Sequence, residues 1–275
     1  MSHKKTPTLS APFFSIIICS IDPWKFAQVS ACYEHLLAEV PHEIIGIHDA
    51  RSLAEGYNRG VQQAQGDITL FSHDDILILD PGFAPKIASR LQNIDILGFT
   101  GTRRLVDEYW WGAGLPWLAG SIAHIFPNDI SLNVYGAAAW PLVENIQAID
   151  GLCIMARRET ALEIGFDQTV FDGFHLYDLD FSFSAWQAGK KIAVCCDIPV
   201  IHASMGNYDA KHEKYARLFL EKHKDALPTP SPPKKRAPEG RSMRFSDHRA
   251  LLAAWNPNVF QRTNAYLQRQ LEKAG

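Results

Sequence analysis

The chain has 275 residues, 47% of them hydrophobic, which is enough apolar material for one large or two small domains with a substantial core. A net charge of −3 provides no general attraction for nucleic acid or an acidic membrane, so any anionic ligand has to be held by local groups. The five cysteines, Cys19, Cys32, Cys153, Cys195 and Cys196, are odd in number, lack metal-ligand spacing and mostly fall in apolar runs, as reduced core thiols of a cytosolic (cytoplasmic) protein do.

Residues 1–12 read as a flexible N-terminus without a signal-peptide cleavage pattern, and the following run FFSIIICSI is too short to cross a membrane. Phe13 to Cys19 is a continuous apolar, β-branched run of the kind found in buried parallel strands, and Pro23 opens a helix towards Glu39. HEIIGIHD forms a second strand, Ser52 starts a helix over SLAEGYNRGVQQAQ, and Gly66 leads into a third strand, DITLFS. A helix over Phe83 to Leu91 then leads to the strand IDILGFT. Strands alternating with helices of this length imply right-handed crossovers and an α/β fold with a mainly parallel, doubly wound sheet. Ligands on such sheets sit beyond the C-terminal strand ends. Cys19-Ser20, His48-Asp49 and His73-Asp74-Asp75 all fall there, so three clusters distant in sequence should meet at one crevice.

From Gly101 to Ile149 the periodicity weakens, and Trp110, Trp111, Trp117 and Trp140 place four of the seven tryptophans in what reads as a long irregular region. Order returns with DGLCIMARRETALEIGFD, a strand and then a helix that Gly165 stops, followed by a helical LYDLDFSFSAWQAG ending at Gly189 and the strand KKIAVCC. The segment LPTPSPPKKRAPEGR reads as a proline-rich basic linker over 228–244, beyond a body spanning 13–227. Residues 245–275 form a helical extension whose second helix starts at Asn256 and Pro257. Because the linker marks a boundary, the extension is expected to serve a partner or a homodimer contact, and not to complete the body.

The chemistry concentrates in a few acidic and histidine positions. Asp74 and Asp75 repel one another, so either water or a cation has to offset their charge. Hard divalent cations take such oxygen ligands and share them with substrate phosphates, although turn formation alone also accounts for an Asp pair at a strand end. Asp178 and Asp180 lie two apart on a helix and point in different directions, so only one can face a small site. Both could instead simply favour the helix dipole. His202 follows a strand, where a packed or surface histidine is the commoner role, and the tryptophans are core residues by default, with faces that can also stack on sugars.

In their order and spacing these segments resemble family-2-type glycosyltransferases of the GT-A fold, in the bacterial glycosyltransferase-like branch. The resemblance runs from about Phe13 to Tyr208. Its landmarks are FSIIICSID for the first strand and loop, EIIGIHDARS where the family often has Asp-Asp-Gly-Ser, and NRGVQQAQGDITLFSHDD for the run into the D-x-D element. DGLCIMARRETALEIGFD follows for the acceptor-side strand and helix, YDLD for the E-D-x-D element, and VIHAS for a late histidine. The resemblance implies a GT-A fold and a Mn2+- or Mg2+-dependent, inverting transfer of a sugar from a nucleoside diphosphate donor, read as UDP, to a hydroxyl of a glycan, lipid-linked or protein acceptor. It also implies roles for particular residues. Asp178 is the catalytic base; Ser20, Asp49, Arg51 and Asp74 hold the nucleotide; Asp75, His202 and His73 hold the metal; Trp110, Trp111, Trp140, Asp150 and Asp180 face the acceptor. Three motifs depart from the family pattern: His73 stands for the first Asp of D-x-D, His48-Asp49-Ala50-Arg51 for Asp-Asp-Gly-Ser, and Tyr177 for the Glu before the base. Two rival readings are a nucleotidyltransferase, which lacks here a glycine-rich basic loop after the first strand, and a non-catalytic glycan-binding scaffold.

Overall fold

The computed structural model describes residues 12–136, 140–204, 210–228 and 240–274. The N-terminal segment expected to be flexible and most of the expected linker, 1–11 and 229–239, lie outside the described residues. In chain order the elements begin β1 (Phe14–Cys19), α1 (Pro23–Leu36), β2 (His42–Ile47), α2 (Leu53–Gln63), β3 (Ile68–Ser72), β4 (Ile76–Ile78), α3 (Phe83–Arg90), β5 (Ile96–Gly98) and β6 (Thr100–Thr102). They continue with β7 (Leu118–Ile125), β8 (Ile130–Val134), β9 (Leu142–Glu144), β10 (Ala148–Ile149), β11 (Cys153–Arg157), α4 (Arg158–Ile164) and α5 (Tyr177–Gln187). The last are β12 (Ile192–Cys195), β13 (Val200–His202), α6 (Ala210–His223), β14 (Arg241–Phe245), α7 (His248–Ala254) and α8 (Pro257–Ala274).

Local chemistry sets the helix starts. The Asp22 side chain accepts from the backbone amides of Trp24 and Lys25 with Pro23 in the first turn, and Ser52 accepts from Glu55, so each cap satisfies amides that a helix start leaves open. The main sheet has the order β2-β1-β3-β11-β5-β12-β9. Its pairings run parallel between β1 and β2, β1 and β3, and β5 and β12, whereas β11 lies antiparallel between β3 and β5, and β9 antiparallel at the edge. Five of the seven strands therefore point the same way, with helices covering the sheet, which is the α/β arrangement expected of a GT-A fold. Phe14, Ile16, Ile17 and Ile18 are wholly buried, as a strand covered on both faces requires.

The region from Gly101 to Ile149 differs from its reading as a long loop. It supplies most of a second sheet, β10-β6-β7-β13-β4, with β8 pairing β7 and β14 pairing β8. Seven of the eight residues of β7 are buried, so polar and apolar positions do not alternate and the strand leaves no period in the sequence. The turn between β7 and β8 closes with Phe126 N donating to Asp129 O at 2.8 Å.

The C-terminal segment also departs from expectation. The chain read as linker through 244 becomes β14 at Arg241 and pairs with β8. Leu251, Trp255, Phe260 and Leu267 enter the main apolar core, and the Trp255 indole donates to the carbonyl of Cys196 at 3.0 Å. Asn256 caps α8 through the amides of Asn258 and Val259. Among the described residues no helix is long and apolar enough to cross a membrane.

Candidate functional site

The apolar run that resumes after His73-Asp74-Asp75 is β4, and it explains the interruption. β3 belongs to the main sheet and β4 to the second, so the three residues make the passage between the two. In β4, Ile76 and Ile78 are buried while Leu77 points outward, and its antiparallel partner β13 sets His202 opposite Ile76. The backbone of Asp75 accepts from Ala203 N at 2.9 Å, its carboxylate accepts from Ser204 N at 3.2 Å, and the other oxygen lies 3.1 Å from His202 Nε2. His73 Nδ1 is 3.3 Å from the same His202 nitrogen.

Ligand atoms of His73, Asp75 and His202 thus lie within 4.8 Å of one another. Only one proton can occupy the space between the two facing ring nitrogens, so the cluster presents converging lone pairs, a donor set that fits a divalent cation. Burial first, and His202 second, push the His73 pKa down to about 4, which leaves the ring neutral and able to ligate. Burial opposes ionisation of Asp75, but the hydrogen bond and charge of His202 prevail and hold the carboxyl well below its usual range. Burial likewise opposes protonation of His202, and the Asp75 carboxylate reverses it, raising that pKa.

His73 and His202 line an open cavity of about 400 Å³, whose wall also carries Asp150, Asp178, Trp110 and Trp111. Leu176, in the left-handed region at φ 62°, turns the chain into α5 so that Tyr177 and Asp178 enter the cavity wall together. Gly151 has to be glycine, because a Cβ there would lie 2.5 Å from the Tyr177 hydroxyl and 2.7 Å from Asp178 Cβ. Asp150 is fixed by two donors, Leu152 N at 3.0 Å and the Trp110 indole at 3.1 Å. Burial, and then the neighbouring charge of Asp150, push the Asp178 pKa up to about 7 against the pull of backbone amides.

The residues expected to hold the nucleotide divide into two groups. Ser20 and Asp74 meet at the strand ends, with the Ser20 hydroxyl donating to the Asp74 carboxylate at 2.6 Å and His48 Nδ1 lying 2.9 Å from Ser20 O, so clusters from β1, β2 and β3 do converge. Asp49 instead pairs with Arg59 at the surface at 2.8 Å, and Arg51 stands exposed beside Glu55.

Two acceptor-side expectations are corrected. Asp180 faces away from the cavity into α6, where it accepts from His223 Nε2 at 2.8 Å and from Lys222 at 2.9 Å, because a position two residues past Asp178 turns to a different helix face. Trp140 packs edge-on against Phe260 of α8 with ring centres 5.0 Å apart, so it joins the C-terminal contact. The sequence reading missed Tyr177 as a partner of His73, at 2.7 Å, and missed His124, which stands opposite His202 in the β7–β13 register and lines the cavity. Only the pairing of distant strands brings His124 there. Tyr177 was visible as a departure from the family motif, which was a usable signal.

Residues 15–223 match the model of a family described as "Glycosyltransferase like family". No curated protein sequence matches the chain. Similar solved structures include GalNAc-T7 with UDP, GalNAc and Mn2+, at 12% identity and a TM-score of 0.46 over 78% of this chain, which spans 50% of that one. A mannosyltransferase, PcManGT from Pyrobaculum calidifontis with GDP-Man and Mn2+, gives 11% identity and a TM-score of 0.48, covering 98% of this chain and 75% of its own. TarS residues 1–349 from S. aureus give 14% identity and a TM-score of 0.42, covering 78% and 72%.

Proposed function

The chain belongs to the glycosyltransferase-like family, and from that premise we propose that it is a metal-dependent, inverting transferase that moves a sugar from a nucleoside diphosphate, UDP in this reading, to an acceptor hydroxyl. One observation carries the reading. A single cavity is lined both by two members of a His-Asp-His cluster and by Asp178, a carboxyl whose pKa of about 7 suits proton exchange at neutral pH.

His73, Asp75 and His202 would hold the cation, and two imidazoles with one carboxylate favour Mn2+ over Mg2+, which prefers oxygen ligands alone. Such a cation acts as a Lewis acid towards the negative charge of a leaving diphosphate. Asp178 takes the proton of the attacking hydroxyl, and the charge of Asp150 beside it keeps the carboxylate basic. Ser204 orients Asp75, the Trp110 indole holds Asp150 in place, and Ser20 with Asp74 forms the nucleotide-side rim of the crevice.

The acceptor is uncharged. Among the described residues the cavity wall carries Glu108, Asp150 and Asp178 and no lysine or arginine, so an anionic group would enter against like charge, while the half-buried Trp111 gives the wall apolar surface for a sugar.

The test is calorimetry of UDP in Mn2+ and in EDTA, alongside a panel of nucleotide sugars scored for transfer or slow donor hydrolysis. UDP binding should require Mn2+, and Asp75→Asn should weaken it far more than Asp49→Asn. Equal UDP affinity with and without metal refutes the metal-dependent reading. Pyrophosphate release from a nucleoside triphosphate would indicate a nucleotidyltransferase instead.

A further inference from the structure

Tyr177 stands before Asp178, where the resemblance expects glutamate, and its hydroxyl has two defined partners. The phenol oxygen lies 2.7 Å from His73 Nε2 and 3.3 Å from the carbonyl oxygen of Gly151. A tyrosine hydroxyl carries one hydrogen to donate and lone pairs to accept with, and a neutral imidazole carries its hydrogen on one nitrogen only. Nδ1 is the nitrogen of His73 that faces His202, at 3.3 Å, within the cluster with Asp75. For Nδ1 to offer a lone pair to a cation, the ring hydrogen has to sit on Nε2. That N–H then points at the Tyr177 oxygen, and the Tyr177 hydrogen goes to the Gly151 carbonyl, so each group in the chain is satisfied.

We propose that Tyr177 is a positioning residue that holds His73 as its Nε2–H tautomer and so presents Nδ1 to a divalent cation. The proposal rests on the metal-dependent reading of the same site and adds to it the group that sets the ligand. Histidine ligands are commonly oriented by a hydrogen bond from their second nitrogen, and loss of that partner typically weakens metal binding about tenfold to a hundredfold. The tyrosine ring is buried among Tyr57 and Phe166, which locks its direction. Through Gly151, next to Asp150, and through Asp178, next in sequence, the same bond ties the metal end of the cavity to the acid pair.

The experiment compares Mn2+ affinity of the full chain by electron paramagnetic resonance in wild type, Tyr177→Phe and Tyr57→Phe. Tyr57 is the matched control: its ring lies 5.7 Å from that of Tyr177, and its buried hydroxyl makes no hydrogen bond among the described residues. The expected result is a roughly tenfold to hundredfold weaker Mn2+ affinity in Tyr177→Phe and an unchanged one in Tyr57→Phe. Equal affinity in Tyr177→Phe and wild type overturns the proposal. A wild type that binds no Mn2+ removes the metal reading itself, and the proposal with it. A second measurement needs no variant at this position. In wild type saturated with diamagnetic Zn2+, the nitrogen-15 spectrum of the His73 ring, assigned by its loss in His73→Asn, should show the hydrogen on Nε2. A hydrogen on Nδ1 also overturns the proposal.

Discussion

Asp178 is half-buried beside Asp150, and burial first, then that charge, lift its pKa from 3.8 to about 7. Asp178→Asn removes the ionisation at nearly constant shape, so it should separate the role of the carboxyl in chemistry from its effect on stability. The sign follows from where the proton sits. Below about pH 4 the folded and unfolded wild type both hold it, and the group has no effect on stability. Between about pH 4 and pH 7 the unfolded chain ionises while the folded one does not, so wild-type stability falls as pH rises, and above about pH 7 the deficit stays constant. A displacement from 3.8 to about 7 corresponds to roughly 4 kcal/mol at 1.36 kcal/mol per pH unit, and solvent in the open cavity screens part of it. The expected gain for Asp178→Asn at pH 8 is therefore about 1–4 kcal/mol over wild type, shrinking towards zero at pH 4. Urea unfolding of both chains in EDTA at the two pH values measures it. Turnover at saturating donor should fall about 10²–10⁴-fold in the same variant, with UDP affinity retained. A stability difference that does not change with pH refutes the electrostatic reasoning, and near-normal turnover refutes the base.

Asp180→Asn should do the opposite: with Lys222 and His223 left facing a neutral amide in a buried clasp, stability should fall by about 1–3 kcal/mol while turnover stays within a few-fold of wild type, by unfolding and transfer assays. Deleting residues 240–275 should yield a chain without native circular dichroism, because Leu251, Trp255, Phe260 and Leu267 leave the core at roughly 1.5–3 kcal/mol each, a sum comparable with the whole stability of a domain. A folded, UDP-binding truncation would restore the separate-extension reading. Among model acceptors, neutral methyl glycosides should accept sugar and uronates or sugar phosphates should not, and faster transfer to the anionic compounds would overturn the uncharged-acceptor reading.

The first half of the main sheet was legible because its signals are local. Runs such as FSIIIC and ITLFS are strand-like in themselves, and Asp22, Pro23 and Ser52 mark helix starts with their own side chains. The second sheet was not. β7 is buried on nearly every residue and holds a glycine at φ 106°, so neither alternation nor composition betrays it. Motif order named His73, Asp75 and His202, which the fold brings within 4.8 Å of one another, and Asp178, which lines the same cavity, whereas Trp140 and Asp180, named with them, are turned away by the fold. The aromatic cluster put Trp110, Trp111 and Trp140 into one expectation, yet Trp110 and Trp111 line the cavity while Trp140 packs on Phe260, 120 residues away in a segment read as separate.

Two departures from the family motif become intelligible together once the structure is known. The resemblance expects an aspartate where His73 stands and a glutamate where Tyr177 stands, and these two side chains touch each other at 2.7 Å. Acids at both places would set two carboxylates in contact beside Asp150 and Asp178, in a wall that already raises the pKa of Asp178 to about 7. Each added charge in such a buried group raises the remaining pKa values further, and a base held far above neutral pH is protonated and idle at the pH where it has to act. A histidine and a tyrosine bonded to one another remove both charges and leave His73 Nδ1 facing His202, where the proposed cation would sit. The exchange of the two acids is thus a single change in the hydrogen-bond chemistry of the cavity, and it leaves the basicity of Asp178 to burial and Asp150, which raise its pKa, and to the backbone amides that oppose them.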